Sequence, residues 1–523
     1  MSVADYDAPE GRRSLKVFSP PGQSSYLSKH HEKFPNRLEH GAEVVNAHPL
    51  YLNGQWIRTP RAFAVVNPAT TRVIAEVCAA DRAVVAQAMK DAHEAFQHWR
   101  SLTAKARGEF LRRIAGELER RGEEIARTIT LENGKPLAQS QAEITMAVDH
   151  LNWFAEEGKR AYGRVVPQQA EGKRHLVVKT PVGVVAAISP WNFPLVLALR
   201  KIAPALAAGC PVILKPASAT PLCALALAEC VAAAKLPAGV FQLVAGPAQE
   251  IAAEFLENPL CRKLTFTGST EVGKLLIRGA AAQVRPLSLE LGGHAPVLVF
   301  EDADLDAAIE GAMISKFRNT GQSCIASNRI YVQRSIYELF LDKFVRQTRA
   351  LKTGDGLEPG VQIGPLINET AMAKALEHIQ DAVRRGARLL CGGKRLEREG
   401  WFIEPTVLAD VPADALCLAE ETFAPVAPVC AFDTESEAIE RANASAYGLS
   451  AYAFTRDLPR AFRLMESLEA GTIGINDGVP TTSQCPFGGL KQSGWGRELG
   501  VEGLDAFLET KHISLGLGKP KTV

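Results

Sequence analysis

The chain has 523 residues, of which 46% are hydrophobic and 22% charged, as is typical of a soluble protein with two or three domains. Its 59 lysines and arginines nearly balance its 58 aspartates and glutamates, which argues against a nucleic-acid or membrane surface. The ten cysteines lack metal-ligand spacing, and the N-terminus lacks the apolar core of a secretory signal. We therefore predict a cytoplasmic, reducing setting without a metal, a membrane or a nucleic-acid partner.

The first part of the chain predicts an extension, short strands and two helices. Residues 1–45 are polar without a sustained period, which predicts an N-terminal extension. YLNGQWI predicts a hairpin turning at Asn53-Gly54, and VVNPATTRVIAEV predicts a pair of edge strands. Asp81 is placed to cap a first amphipathic helix, and a second helix, from Leu111 through Ile129, is expected to stop at the breaker NGKP.

Residues 182–290 alternate between apolar strand segments and helices. VGVVAAI, PVILK, VFQLV and KLTF are short apolar runs of the kind that is buried on both faces of a sheet. A helix from Leu195 to Ala208 is predicted to end at Gly209. Repeated strand–helix–strand units of this length predict a doubly wound parallel sheet, which binds ligands at the carboxyl ends of its strands. The turns at PWNFP and at Gly268 both follow such ends.

A second α/β domain is predicted after Leu291-Gly292-Gly293, where the strand pattern restarts with PVLVF. Glu290 would then lie where the two domains meet, a common place for an active site. Cys324 ends FRNTGQSC in a polar setting, unlike a cysteine in an apolar run. A cysteine can add to a carbonyl carbon, but its thiol is mostly protonated at neutral pH and needs local activation. None of the 11 histidines lies in a setting recognised for a thiol protease.

Four motifs follow one another along the chain: PWNFP, ILKPAS, LELGG around Glu290, and FRNTGQSC ending at Cys324. From about residue 50 to the C-terminus the chain resembles the aldehyde dehydrogenase superfamily, and most of all its succinate-semialdehyde dehydrogenases. The resemblance implies an aldehyde-dehydrogenase-like α/β fold, in which a doubly wound cofactor domain is joined to an α/β catalytic domain and a small β oligomerisation unit. It also implies a homodimer or homotetramer.

The resemblance implies a division of the chain into parts. Residues 46–162 and 182–290 would form the dinucleotide-binding domain, and residues 291–505 the catalytic domain. Residues 163–181 and 506–523 would form the oligomerisation unit, in which RHLVVKT combines with the strand around ETKHISL.

A thioester mechanism that ends in a free carboxylic acid is implied as well. Cys324 would attack the aldehyde, while the amide of Asn192 and the backbone N–H of Cys324 would hold the oxyanion. Glu290 would activate the water that releases the acid. Lys215 completes the predicted catalytic set and would also bind ribose hydroxyls of the cofactor.

The cofactor is expected to be NADP or NAD. FTGSTEVG contains GxxxxG without the lysine of a P-loop, so Gly268 and Ser269 predict a pyrophosphate site at a helix N-terminus. Ser218 occupies the position at which NAD-preferring members carry a glutamate that repels the 2′-phosphate, so we expect NADP to be used well. The resemblance assigns three more residues to the dinucleotide, its nicotinamide ring and the adjoining ribose: Trp191, Glu421 and Phe423.

The substrate is predicted to be a short semialdehyde with a distal anion. Arg200 and Arg318 match the arginines that hold the substrate carboxylate in succinate-semialdehyde dehydrogenases, and Thr481 stands at a serine position of that subfamily. Two guanidinium groups favour a carboxylate, although a sulfonate or phosphonate would also fit. The segment INDGVPTTSQ departs from the subfamily pattern, which leaves the chain length and the anion open.

Two rival interpretations stay open at this point. In the first, the arginines are structural and the enzyme oxidises neutral aliphatic or aromatic aldehydes. In the second, the chain is a non-enzymatic scaffold that has retained the fold. The presence of the cysteine, glutamate, asparagine and lysine argues against the scaffold.

Overall fold

The computed structural model describes residues 46–518, so the predicted extension of residues 1–45 lies outside the described residues. The first ten elements, in chain order, are β1 (Leu50–Leu52), β2 (Gln55–Ile57), β3 (Ala62–Val66), β4 (Val73–Cys78), α1 (Arg82–Trp99), α2 (Ala104–Arg120), α3 (Gly122–Asn133), α4 (Leu137–Glu157), β5 (Arg164–Val166) and β6 (Lys173–Pro181).

Local sequence signals explain how several of these elements begin and turn. The predicted hairpin is confirmed, because β1 and β2 pair in antiparallel fashion and both turn residues, Asn53 and Gly54, have positive φ. The next two predicted strands are confirmed as β3 and β4, but within the described residues they form a separate two-stranded sheet and not the edge of a larger one. Asp81 caps α1 as predicted, accepting a hydrogen bond from the backbone N–H of Val84 at 2.9 Å.

The prediction of one helix running through Leu111 and Ile129 is wrong, because the structure has two helices, α2 and α3, with Arg121 between them. Arg121 leaves the helical range at φ −100° and ψ 9°. Its guanidinium group bonds the carboxylates of Glu124 and Glu229, which fixes the break against a neighbouring helix. The apolar residues of α2 and α3 pack into one core, so the helical spacing of apolar residues in the sequence does not indicate the break.

The alternating region begins after β6, and its predicted strands and helices are confirmed. Its elements are β7 (Val184–Ile188), α5 (Val196–Ala208), β8 (Val212–Lys215), α6 (Leu222–Ala233), β9 (Phe241–Leu243), α7 (Ala248–Glu257), β10 (Cys261–Thr267), α8 (Thr270–Ala280) and β11 (Leu287–Glu290).

The remaining elements follow Gly293. They are β12 (Ala295–Val299), α9 (Leu305–Phe317), β13 (Ser327–Gln333), α10 (Tyr337–Arg349), α11 (Glu369–Arg384), β14 (Arg388–Cys391), β15 (Thr406–Ala409), α12 (Leu416–Ala419), β16 (Val426–Phe432), α13 (Glu435–Asn443), β17 (Tyr447–Gly448), β18 (Ser450–Phe454), α14 (Leu458–Ser467), β19 (Thr472–Ile475), β20 (Leu490–Lys491), β21 (Gly494–Trp495), α15 (Gly500–Asp505) and β22 (Leu508–Gly516).

The first large sheet has the order β2-β1-β9-β8-β7-β10-β11-β21. Its five central strands are parallel, whereas β1 and β21 join its edges in antiparallel fashion. The predicted doubly wound parallel sheet is therefore confirmed. Because chain order reverses between β7 and β10, a crevice forms at the carboxyl ends of these two strands.

A second large sheet has the order β14-β15-β16-β13-β12-β18-β19 and is parallel except for β14. Apolar residues fill both of its faces. A third sheet, β22-β6-β5, pairs β22 with β6 along nine residues. The proposed domain boundaries and the oligomerisation role of this third sheet stay predictions.

Two glycines in the helical region test how backbone conformation determines the effect of adding a side chain. Gly134, in the predicted breaker, ends α3 at φ +91°, and a Cβ there would lie 2.5 Å from Cγ of Pro365. Gly116 lies exposed inside α2, and a Cβ there would meet nothing within 4 Å. Gly134→Ala should destabilise the protein by about 1–3 kcal/mol, whereas Gly116→Ala should stabilise it by about 0.5–1 kcal/mol. Thermal unfolding should give a lower midpoint than the wild type for Gly134→Ala and a higher one for Gly116→Ala. Equal midpoints for the two variants would contradict this account.

Candidate active site

Asn192 lies in the turn between β7 and α5, and its backbone carbonyl accepts two hydrogen bonds. They come from Nζ of Lys135 at 2.7 Å and from Nδ2 of Asn319 at 2.8 Å. The side-chain Nδ2 of Asn192 donates to the carbonyl of Gln322 at 3.2 Å, just before Cys324. The turn after β7 is thus hydrogen-bonded directly to the loop that carries Cys324, the predicted nucleophile.

A fully buried ion pair supports this turn from the other side. Nζ of Lys135 lies 2.7 Å from Oε2 of Glu143, and neither side chain is exposed. Oε1 of Glu143 accepts hydrogen bonds from the backbone N–H groups of Leu195 and Val196, at 2.9 and 3.1 Å. These donors at the start of α5 have no partner within the helix, and a carboxylate there also suits the helix dipole. The pair therefore fixes the start of α5 and the Asn192 carbonyl together.

The loop before Cys324 contains three successive residues with left-handed backbone: Asn319, Thr320 and Gly321, with φ of 52°, 59° and 73°. A side chain at Gly321 would collide with the carbonyl oxygen of Ala424. Left-handed non-glycine residues cost on the order of 1–3 kcal/mol each, so the surrounding structure must hold them. The N–H of Asn319 donates to Oε1 of Gln139 at 2.7 Å, and the hydroxyl of Thr320 accepts from the N–H of Gly364 at 3.0 Å.

Cys324 is half-buried, and its own backbone N–H lies against its thiol. Burial, with a smaller contribution from Glu421, raises the pKa of this thiol to about 12, whereas the charge of Arg200 acts in the opposite direction. Burial therefore favours the protonated thiol, so the predicted nucleophile needs stabilisation of its thiolate beyond that given by Arg200. Because Asn192 bonds the cysteine loop, the two predicted oxyanion donors are brought together.

Glu290 ends β11 and is buried. Among the described residues its Oε2 has no hydrogen-bond partner. Burial, and then the neighbouring Glu498, raises the pKa of the Glu290 carboxyl well above its ordinary value. A Cβ at Gly488 would lie 2.8 Å from Oε1 of Glu290, so glycine there keeps space beside the carboxyl group.

A second buried ion pair lies beside Glu290. Lys201, which is fully buried in α5, bonds Oε1 of Glu498 and also the hydroxyl of Thr267. Oε2 of Glu498 has no hydrogen-bond partner among residues 46–518. The carboxyl groups of Glu290 and Glu498 therefore repel each other, and the charge of Lys201, which is paired with Glu498, also acts on Glu290.

The predicted nicotinamide contacts come together at one edge of the crevice. The rings of Trp191 and Phe423 meet edge to face with centroids 5.6 Å apart, and Phe423 has a φ of 55°. Oε1 of Glu421 accepts a hydrogen bond from the N–H of Gly293 at 3.2 Å. Burial raises the pKa of Glu421 to about 7.

The other predicted cofactor residues lie at the carboxyl ends of β8 and β10. Lys215 ends β8, where it pairs with Ile188 of β7, and Ser218 follows in the next turn. Ser269 caps α8 by accepting a hydrogen bond from the N–H of Val272 at 3.3 Å. A side chain at the preceding Gly268 would run into the ring of Phe266, so only glycine leaves this helix N-terminus open. The residues present therefore fit a dinucleotide lying across the crevice.

The two predicted substrate arginines lie against aromatic rings. The guanidinium carbon of Arg318 is 5.2 Å from the centroid of Phe193, and that of Arg200 is 4.6 Å from the centroid of Phe487. Burial lowers the pKa of Arg318. In the part of the chain that the structure describes, neither arginine forms a salt bridge, and the buried hydroxyl of Thr481 has no hydrogen-bond partner.

Sequence reasoning missed several residues that build this site. The sequence indicates Lys135 only as part of a helix breaker, and no motif marks Glu143, which lies in α4. Glu498 carries a recognisable signal, since it is an acid among glycines in GWGRELG, as Glu290 is in LELGG. Within residues 46–518 no cluster of three or more histidine, cysteine, aspartate or glutamate side chains could hold a metal ion. No helix in this range is long and apolar enough to cross a membrane.

Comparison with known proteins gives consistent results. The model of the aldehyde dehydrogenase family matches residues 56–513. The chain is 49% identical to the NADP-dependent succinate-semialdehyde dehydrogenase of Escherichia coli K12, over 89% of this chain and 97% of that protein. It is 48% identical to a 3-sulfolactaldehyde dehydrogenase of Pseudomonas putida, over 89% of this chain and 96% of that protein.

Solved structures agree with this assignment. A crystal structure of an NADP-dependent enzyme of E. coli superposes with a TM-score of 0.89 at 48% identity, covering 90% of this chain and 98% of that one. The predicted aldehyde-dehydrogenase-like α/β fold is therefore confirmed. The chain belongs to the aldehyde dehydrogenase family.

Proposed function

We propose that this enzyme oxidises a short anionic semialdehyde, with succinate semialdehyde as the best match, to the carboxylic acid. The observation that carries the proposal is the pair of guanidinium groups of Arg200, which is buried, and Arg318, which is half-buried; neither has a salt-bridge partner within residues 46–518. Charged side chains that are shielded from water without a salt bridge are costly, so such a pair favours a ligand that brings its own anion. A carboxylate matches the planar fork of a guanidinium group.

The position of these charges argues for a short substrate. Arg200 acts electrostatically on both the thiol of Cys324 and the carboxyl of Glu290. Arg318 packs on Phe193, the residue after Asn192. An anion held by both arginines would therefore lie within a few bonds of the nucleophile, which suits a semialdehyde with a short carbon chain.

The residues of the chain can be assigned successive tasks in this reaction. The thiol of Cys324 gives its proton to solvent water and adds as a thiolate to the aldehyde carbon, while Nδ2 of Asn192 and the N–H of Cys324 stabilise the oxyanion. When bound, NADP or NAD supplies the hydride acceptor. Glu290 then takes a proton from the water that releases the acid, and a pKa raised by burial makes it a stronger base than an exposed glutamate.

The cofactor is proposed to lie along the crevice of the first sheet. Lys215 and Ser218 would meet the adenosine ribose, and the start of α8, at Gly268 and Ser269, would meet the pyrophosphate. The nicotinamide end would lie at a further set of three residues: Trp191, Glu421 and Phe423.

The oligomeric state and the cellular setting stay predictions. The homodimer or homotetramer is supported by the third sheet, whose edge strand β22 is mostly exposed in the described part of the chain. The reducing, cytoplasmic setting is supported by the ten cysteines, which all lie in the described residues as free thiols.

A sulfonate aldehyde is a second candidate substrate. The relative from P. putida is named for 3-sulfolactaldehyde, whose sulfonate could be held by the same two guanidinium groups. A neutral aldehyde is the remaining rival, and it gives no account of one buried and one half-buried arginine that both lack a salt bridge within residues 46–518.

The substrate proposal predicts that Arg318→Ala acts selectively. The kcat/KM for succinate semialdehyde should fall about 100-fold, because hydrogen bonds to charged groups contribute roughly 1.5–3 kcal/mol each. The kcat/KM for butanal, which has no distal anion, should change less than about 3-fold. Initial rates of reduced-cofactor formation with both aldehydes measure this, and a sulfonate aldehyde serves as a third arm.

Arg398→Ala is the matched control, because Arg398 also stacks on a phenylalanine, Phe402, at 4.4 Å but is not placed in the site. It should leave both rates near those of the wild type. Faster oxidation of butanal than of either anionic aldehyde by the wild type would contradict the proposal.

The cofactor proposal predicts that the wild type uses NADP well and that Ser218→Glu makes the enzyme prefer NAD. A carboxylate placed against the 2′-phosphate costs several kcal/mol, so kcat/KM for NADP should fall at least about 100-fold. The kcat/KM for NAD should stay within about 3-fold, and Ser218→Ala should leave both nearly unchanged. A clear preference of the wild type for NAD would refute this account of Ser218.

A further inference from the structure

A chain of polar contacts runs from the protein surface to Arg200. Asp149 and His150 are adjacent in α4, and Ser483 lies in the segment INDGVPTTSQ. The hydroxyl of Ser483 bonds Oδ2 of Asp149 and lies 2.8 Å from Nδ1 of His150. Nε2 of His150 lies 3.4 Å from Nε of Arg200. Asp149 is exposed, whereas the other three residues are buried.

The direction of each hydrogen bond follows from the chemistry of Arg200. A guanidinium nitrogen can only donate, so Nε2 of His150 must accept. A neutral imidazole then carries its proton on Nδ1, which donates to the hydroxyl oxygen of Ser483. Ser483 in turn donates its own proton to Asp149. Each of the three contacts then joins one donor to one acceptor, and this arrangement requires His150 to be neutral.

The electrostatics agree with a neutral imidazole. Burial, and then the charge of Arg200, holds the pKa of His150 well below its ordinary value. The same three residue types build the serine hydrolase triad, but here the carboxylate bonds the serine rather than the histidine, and Nε2 faces an arginine. In this order the imidazole donates to Ser483 and cannot take the serine proton, so the contacts differ from a nucleophilic triad and fit a positioning role.

Ser483 also anchors the loop that carries Thr481. The carbonyl of Ser483 accepts a hydrogen bond from the N–H of Gly500 at 2.9 Å. The same residue is therefore bonded to α4 through its side chain and to the start of α15 through its backbone. Phe487, on which Arg200 stacks, follows in the same segment. One loop thus determines what lies beside Arg200 and where Thr481 lies.

We propose that Asp149, His150 and Ser483 are positioning residues that orient Arg200 toward the anion of the substrate and so set the preference for anionic aldehydes. This inference rests on the proposed function, since it assumes that Arg200 binds the anion. A guanidinium group has several possible orientations, and a single acceptor at Nε selects one. Side chains held in this way lose less entropy when the ligand binds.

The test uses the full-length enzyme with succinate semialdehyde and butanal, each with NADP. His150→Phe keeps a ring but removes both nitrogens, so KM for succinate semialdehyde should rise about 10-fold. The kcat for that substrate and kcat/KM for butanal should stay within about 2-fold. Ser483→Ala should act in the same direction but more weakly, by about 3-fold, because the imidazole then loses its acceptor.

Two further variants separate positioning from packing. His150→Gln offers one acceptor and one donor and should restore most of the lost affinity. Ser315→Ala is the matched control for Ser483→Ala, because Ser315 is also buried and bonds another hydroxyl, that of Ser327, at 3.1 Å. It should leave KM for both aldehydes unchanged.

The outcomes distinguish this inference from the proposed function. If the wild type prefers the semialdehyde and the variants keep that preference, the positioning role is overturned and the proposed function stands. If the variants lose activity on both aldehydes equally, His150 and Ser483 only support packing, and the inference is again overturned. If the wild type itself shows no preference, the proposed function fails and this inference fails with it.

Discussion

The backbone carbonyl of Asn192 is the point at which the two halves of the active site are joined. It accepts hydrogen bonds from Lys135 on one side and from Asn319 of the cysteine loop on the other. Lys135 is in turn held by Glu143, which bonds the start of α5. Removing either member of this pair would leave an unpaired buried charge, which typically costs about 3–5 kcal/mol. The distance between the proposed oxyanion donor and the proposed nucleophile therefore depends on residues outside the proposed substrate and cofactor contacts.

Much of the fold could be predicted because its signals are local. Apolar runs mark the buried parallel strands, Asp81 marks the start of α1, and Asn53-Gly54 marks a hairpin turn. The break at Arg121 could not be predicted, since the apolar period continues across it and its side chain is fixed by a residue far along the chain. Likewise, nothing in the sequence pairs Lys135 with Glu143, because that contact exists only once α4 has packed.

In the candidate site, too, local sequence predicts some features, whereas others depend on tertiary packing. Cys324 and Glu290 stand out because each lies in a polar or glycine-rich setting at the end of an element. The electrostatic environment of these groups depends on burial, which a sequence does not show. Burial raises the pKa of the Cys324 thiol to about 12, and it raises the pKa of the Glu290 carboxyl as well. Burial therefore shifts both groups toward their neutral forms, whereas the nearby charge of Arg200 acts in the opposite direction on each.

The central claim is that Cys324 forms a thioester that Glu290 hydrolyses. The most direct measurement combines rapid kinetics with intact mass on Glu290→Gln, mixed with NADP and succinate semialdehyde. The account predicts a burst of reduced cofactor that approaches one per active site, then slow turnover. It also predicts a mass increase of one succinyl group, which peptide mapping assigns to Cys324 and which Cys324→Ala lacks. Full steady-state turnover by Glu290→Gln, without an acyl adduct, would contradict the account.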